Sequence, residues 1–184
     1  MEKKLRIFIP NNTFKVDRRL LSLIFFWSIV FLITSIKSRF SSYKEDLELL
    51  GFVFIIIAVL YSLYFIISNF FICEVMNGEY DGYLTIDSDK INCNLDVYPI
   101  HEIEKISILS DSYRGKFNGK TIAWKRKKAN GVKNYIEIYK IDGEYKKYFF
   151  LQTKTENIRM FSDELRTYYR FGKLGEQNFK NIID

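Results

Sequence analysis

Eight positive side chains fall within twenty residues: Arg114, Lys116, Lys120, Lys125, Arg126, Lys127, Lys128 and Lys133, with no acid between Asp111 and Glu137. Phe117 and Trp124 are interleaved among them. Clustered cations with an occasional aromatic ring suit contact with anions: phospholipid headgroups, an acidic protein surface, or RNA. A solvated lysine-rich loop has the same composition. The remaining reactive groups do not assemble into a site. His101 is the single histidine; it has no second imidazole or cysteine beside it for a metal, and no nucleophile to activate. Cys73 and Cys93 are too few and too separated for zinc. Gly119-Lys120-Thr121 lacks the upstream glycine of a phosphate loop. The pairs Asp87/Asp89 and Glu102/Glu104 sit at strand ends and read as solvated. The expectation is a protein that is not an enzyme and holds no cofactor or metal.

What must position the basic stretch begins with two uncharged runs. Leu20–Ile36 has 17 residues and Leu49–Cys73 has 25. As a helix, the first is ~26 Å long, near the lower limit for a ~30 Å hydrocarbon core. Arg18, Arg19, Lys37 and Arg39 flank it and can snorkel to the headgroups. It exceeds a signal-peptide core and lacks a small-x-small cleavage site. The expectation is therefore a transmembrane hairpin, 20–73, since so short a chain has too little other apolar surface to wrap two all-apolar helices. Gly51, Ala58, Ser62 and Asn69 recur on one narrow face of the second run, and Ser28 and Ser35 are their expected mates on the first. Neither run carries an Asp, Glu, Lys, Arg or His, which disfavours a transporter or channel.

Residues 1–19 carry six positive and two negative side chains, and the loop between the runs carries three positives. The positive-inside rule then puts both termini in the cytoplasm, at the inner membrane. The net charge of +6 is concentrated beside the bilayer, where anionic lipid attracts each Lys or Arg by ~1 kcal/mol. That accounts for the basic pI without nucleic acid.

After the hairpin the texture changes to alternation. Tyr80–Asp87 and Lys90–Leu95 flank Ser88-Asp89, a hairpin signal in which Ile91, Cys93 and Leu95 pair across from Leu84 and Ile86. Val97–Ile100 is a short extended piece limited by Pro99, and Glu102–Leu109 places Ile106 and Ile108 on one face. Ser110–Val132 is irregular, with Ile122-Ala123-Trp124 as a short strand inside it. Asn134–Ile141 and Glu144–Gln152 form a second hairpin around a two-residue Asp142-Gly143 turn. Thr153 and Glu156 fit a capping box for one helix, about 154–171, carrying Ile158, Phe161, Leu165, Tyr168 and Tyr169 on one face and stopped by Gly172. The tail from Lys173 shows no strong pattern. In residues 1–19, Leu5–Ile9 reads as a strand added to an edge of this sheet.

Gly82–Ile91, followed by Tyr98–Ile106 with its Ile103-Glu-Lys-Ile106 step, resembles the start of bacterial membrane-tethered pleckstrin-homology-like (PH-like) domains. The resemblance covers about residues 78–171 and implies a strand meander closed by one helix. The fold class expected is α+β: a transmembrane helical hairpin, then a mainly antiparallel PH-like β domain, 74–184, closed by one C-terminal helix. The corresponding function is a membrane protein whose cytoplasmic domain recruits a protein partner or contacts anionic headgroups. Two alternatives are an effector or immunity component that oligomerises through the Gly51/Ala58/Ser62/Asn69 face, and a membrane-anchored RNA-binding module.

Overall fold

The two uncharged runs are helical, but the helix ends differ from the apolar boundaries. Helix α1 spans Arg18–Lys37 and α2 spans Lys44–Ser68. The second therefore begins and ends earlier than the expected 49–73. Its charged start is tolerated because acidic side chains suit a helix N-terminus. Its end tightens after Ser68, where the Asn69 and Phe70 amides donate to Ile66 and Ile67. By length and composition both helices can cross a membrane: mean hydropathy is 2.1 over Arg18–Ile36 and 2.7 over Leu47–Ser68, with 11% and 17% of those stretches buried.

The computed structural model describes residues 3–11, 16–37, 44–119 and 125–183. Lys120 and the strand expected at Ile122-Ala123-Trp124 lie outside them. The chain forms two units: a helical unit of Phe14–Ile72 and Gly119–Lys127, and a sheet unit of Met1–Thr13, Cys73–Asn118 and Lys128–Asp184.

In the helical unit, Leu23, Val30 and Ile33 of α1 are buried, as are Gly51, Ala58 and Phe65 of α2. A Cβ on Gly51 would lie 3.4 Å from Ile33 Cγ2, close to ordinary van der Waals contact, so α1 and α2 pack closely at this point. Trp27 Nε1 donates to Ser62 Oγ at 3.2 Å. The Ser28 and Ser35 hydroxyls donate to the carbonyls of Ile24 and Phe31 in their own helix, both at 2.8 Å.

The sheet unit contains β1 (Leu5–Pro10), β2 (Gly78–Ile86), β3 (Lys90–Cys93), β4 (Asp96–Pro99), β5 (Ile103–Leu109), β6 (Asn134–Lys140) and β7 (Tyr145–Phe150). Their order is β4-β3-β2-β1-β7-β6-β5, and every pairing is antiparallel. Strand β1 thus lies at the centre, not at an edge. The physical reason is that it is apolar on both faces: Leu5 and Ile7 enter the main core, while Phe8 joins Val132 and Leu151 in a second cluster. Such strands belong in sheet interiors. In chain order, the whole helical hairpin is inserted between β1 and its neighbour β2.

The alternation read from sequence places Leu84, Ile86, Ile91, Cys93, Ile106, Ile108, Ile136 and Ile138 inside. Each large buried aliphatic contributes ~1.5–3 kcal/mol. Leu95 is the exception. It lies in a two-residue turn with Asn94 and is 90% exposed, unpaired with β2. The β6–β7 turn also differs: Lys140 N donates to Glu144 O, enclosing three residues, with Gly143 at φ +86°. That positive φ belongs to a glycine bulge, not to a two-residue turn.

The terminal helix starts later than its capping signal. Thr153 Oγ1 accepts from Glu156 N at 2.9 Å, but Gln152 Oε1 accepts from Ile158 N, also at 2.9 Å, and ties the chain to the sheet. A 3₁₀ turn, Ile158–Phe161, then leads into α3, Ser162–Arg170. Ile158, Phe161, Leu165 and Tyr168 are all buried, as their spacing indicated. A second helix follows Gly172 that the sequence reading did not find: α4, Glu176–Ile183. It covers the outer edge of β5. Asn178 donates to Ile108 O at 2.7 Å and accepts from Ile108 N at 2.8 Å, and Ile106 N donates to Lys173 O at 2.7 Å. These bonds satisfy strand groups that would otherwise template association.

Candidate functional site

Helix α3 packs at the Lys3 end of β1, where Lys3 Nζ meets Glu164 at 2.7 Å. At the Pro10 end the sheet opens into a groove of about 540 Å³, within the range of ligand sites. Its floor comes from Ile7, Ile9, Tyr148 and Phe149, with Leu95 at the lip.

Local strand chemistry shapes the groove. Arg6 pairs with Tyr83 and Phe8 with Tyr80, so Asp81 and Gly82 together face Ile7. This is a bulge, which bends a strand and redirects its side chains. Gly82 has φ +73°, and a Cβ there would lie 2.3 Å from Asn94 Oδ1. Asn94, itself at φ +59°, donates from Nδ2 to Asp81 Oδ2 at 3.1 Å and from its backbone to Tyr83 O at 3.0 Å. Bulge and turn therefore fix one another and hold Asp81 at the rim.

The second rim carboxylate is Asp96. Tyr148 Oη donates to Asp96 Oδ2 at 2.5 Å and lies 2.5 Å from Tyr98 Oη. A phenol has one proton; since Tyr148 gives its own to Asp96, Tyr98 is the donor to Tyr148. Burial, assisted by the bond to Asp96, pushes the Tyr148 phenol well above its ordinary range, and burial raises Tyr98 as well. Both stay neutral. Lys147 contributes its stem, but its ammonium pairs with Glu137 at 3.0 Å and lies 3.5 Å from the Tyr135 ring centroid. The fixed charge at the groove is thus negative, on a chain whose net charge is +6. Cys93 also lines it, and burial drives its thiol upward, away from the nucleophilic form. The arrangement has the shape and charge to accommodate an apolar group with a cation beside it.

The basic stretch is distributed differently. Lys125, Arg126 and Lys127 belong to the helical unit; Arg114, Lys116, Lys128 and Lys133 belong to the sheet unit. Lys133 pairs with Glu74 at 2.7 Å, and Lys116 Nζ donates to the Asp111 carbonyl. The Arg114 amide donates to Gln152 O at 2.8 Å, and Lys128 O accepts from the Glu74 amide at 2.7 Å. Lys125 is exposed. Lys127 is buried, with its ammonium 5.9 Å from the Phe70 ring and its amide donating to Asn69 O. Arg126 Nη2 meets Asp17 Oδ2 at 2.9 Å.

That last pair belongs to a network at the start of α1. Arg19 binds Asp17 at 2.9 Å, Ser68 Oγ at 2.8 Å and Asn69 Oδ1 at 3.3 Å. Hydrogen bonds from Arg19, then Arg126, lower the Asp17 pKa to about 2. Asn69, just past the end of α2, is completely buried and accepts from Arg19 at the start of α1. His101 is exposed, 3.9 Å from Glu102, and among the described residues no group of three or more His, Cys, Asp or Glu could hold a metal.

The groove was missed in the sequence, although two signals were present: a glycine inside a strand, which marks a bulge, and an Asn at a tight turn. No family model, curated protein or solved structure matches this chain.

Proposed function

We propose that the chain is a bilayer-anchored binding module. In this reading α1 and α2 cross the cytoplasmic membrane with both termini inside, and the sheet unit is a PH-like domain that recruits a protein partner. The largely exposed apolar surfaces of α1 and α2 support the anchor. The antiparallel meander with a helix packed on its core supports the PH-like assignment. The observation that carries the binding function is the groove at the Pro10 end of β1, with its apolar floor and the carboxylates of Asp81 and Asp96. Anionic headgroups fit it poorly, because like charges repel and no uncommitted ammonium faces them. A protein segment fits it.

The test is a photoreactive amino acid at Leu95 in the full chain, in intact cells, with alkaline extraction of the membranes afterwards. The expected result is a chain retained in the membrane and crosslinked to protein. Release into the soluble fraction would remove the anchor, and adducts to phospholipid alone would remove the partner.

A further inference from the structure

We infer that the groove is a strand-accepting seam, whose occupant is an extended peptide alternating bulky apolar residues with Lys or Arg; this rests on the protein-recruiting reading above. Strand β7 is fully paired on one side, from Asn134↔Phe150 to Tyr139↔Tyr145. On the other side β1 registers with it only at Ile7↔Phe150 and Phe8↔Phe149. Beyond Phe8, β1 stays with β2 through Ile9↔Glu79 and Pro10↔Gly78. Pro10 has no amide hydrogen to extend a ladder toward Lys147. Residues Tyr145–Tyr148 of β7 therefore have no registered partner on the β1 side, over ~13 Å of backbone, and Lys147 and Tyr148 of this stretch line the groove.

The rest of the sheet shows how this chain treats strand edges. The edge of β5 is sealed by Lys173 and Asn178, and β4 ends at Pro99. Among the described residues no such bond to the backbone seals the half-edge of β7; Asp96 and Tyr98 meet the Tyr148 hydroxyl instead, beside the apolar floor. An added strand would hydrogen-bond to β7 through its backbone, which is the general mode of edge recognition. Its alternate side chains would be selected by position. Apolar side chains would enter beside Ile9, Leu95 and Phe149, and cationic ones would meet Asp81 and Asp96, which favour ammonium or guanidinium.

The experiment uses the full chain in nanodiscs of phosphatidylcholine, with empty nanodiscs as the blank. Three labelled nine-residue probes are compared by anisotropy: alternating Ile and Lys, the same with Glu for Lys, and the Lys probe with proline at alternate positions. Binding by the Lys probe is expected, with slowed amide exchange at Lys147 and Tyr148. The Glu probe should bind at least ten-fold more weakly, and the proline probe should not bind. Asp81→Asn with Asp96→Asn should weaken the Lys probe about ten-fold, as two exposed ion pairs within the surface range would. Leu95→Gln, at the exposed lip, should weaken all probes without perturbing the fold. Equal binding of Lys and Glu probes, or undiminished binding of the proline probe, overturns the inference. If no probe binds while Leu95 still crosslinks protein in cells, the seam fails and the recruiting function stands. If Leu95 crosslinks only lipid, the recruiting function itself fails.

Discussion

Gly82→Ala tests whether the groove is held by the bulge. The added Cβ would lie 2.3 Å from Asn94 Oδ1, 2.5 Å from its Cγ and 2.8 Å from its Cβ. Rotating Asn94 about χ1 moves the first two atoms but not the third, so the backbone must shift as well. The new side chain also sits at φ +73°, which costs a non-glycine residue ~1–2 kcal/mol. Loss of the Asn94–Asp81 hydrogen bond adds ~1 kcal/mol. The sum, ~2–3 kcal/mol, corresponds to ~30-fold or more in local opening. The reporter is amide exchange of the full chain in nanodiscs at Asn94, whose N–H donates to Tyr83 O at 3.0 Å. In an Asn94→Gly background the clash disappears and only the φ cost remains, so Gly82→Ala should then cost ~1 kcal/mol. Equal costs in both backgrounds would refute the claim that bulge and turn hold each other in place.

Asp17, lowered to about 2 from 3.8, contributes stability that is present above pH ~4 and lost as pH falls toward 2. Linkage allows ~2 kcal/mol, and screening of the partly exposed carboxylate reduces this to ~1 kcal/mol. Thermal unfolding in micelles at pH 5 should separate wild type from Asp17→Asn, the two converging near pH 2; parallel curves would contradict the network. Asn178→Ala removes both side-chain bonds to Ile108 and should cost ~1–3 kcal/mol, read as faster exchange of the Ile108 amide. An unchanged rate would mean that α4 does not seal the edge. Cys93, buried and with its thiol raised by desolvation, should resist maleimide at pH 8 until the sheet unfolds. Labelling of a folded Cys73→Ser chain would contradict that burial.

Much of the architecture was legible because it is local. Period-two alternation located β2, β3, β5, β6 and β7, since each carries an inward set such as Ile106/Ile108 or Ile136/Ile138. The long helices were legible from uncharged length alone. The central place of β1 was not, because pairing with β2 and β7 is decided by partners far along the chain. Helix α4 escaped detection for the opposite reason. It has eight residues, and only Ile182 among them is buried, so no periodic stripe accumulates. The candidate site was the least legible part. Asp81 and Asp96 belong to no motif in the sequence, and a register mismatch plus an early end to the β1–β7 ladder bring them to one rim. In the basic stretch the charges were visible in sequence, but the distant partners of Arg126 and Lys133, Asp17 and Glu74, were not.

The insertion of two helices between adjacent strands has a consequence for biogenesis. Pro10 is registered with Gly78, and Asn11 and Asn77 are cross-bonded at 2.9 and 2.6 Å, so the excursion leaves and rejoins the sheet at one stitched point. The first strand emerges from the ribosome early and must wait for the entire excursion before its neighbours exist. In the bilayer proposed above, an even number of crossings returns β2 to the compartment where β1 waits. A single crossing would maroon β1 on the far side, leaving the remaining six strands with a hole at their centre. In that reading, the sheet can close around β1 only after both crossings have been made.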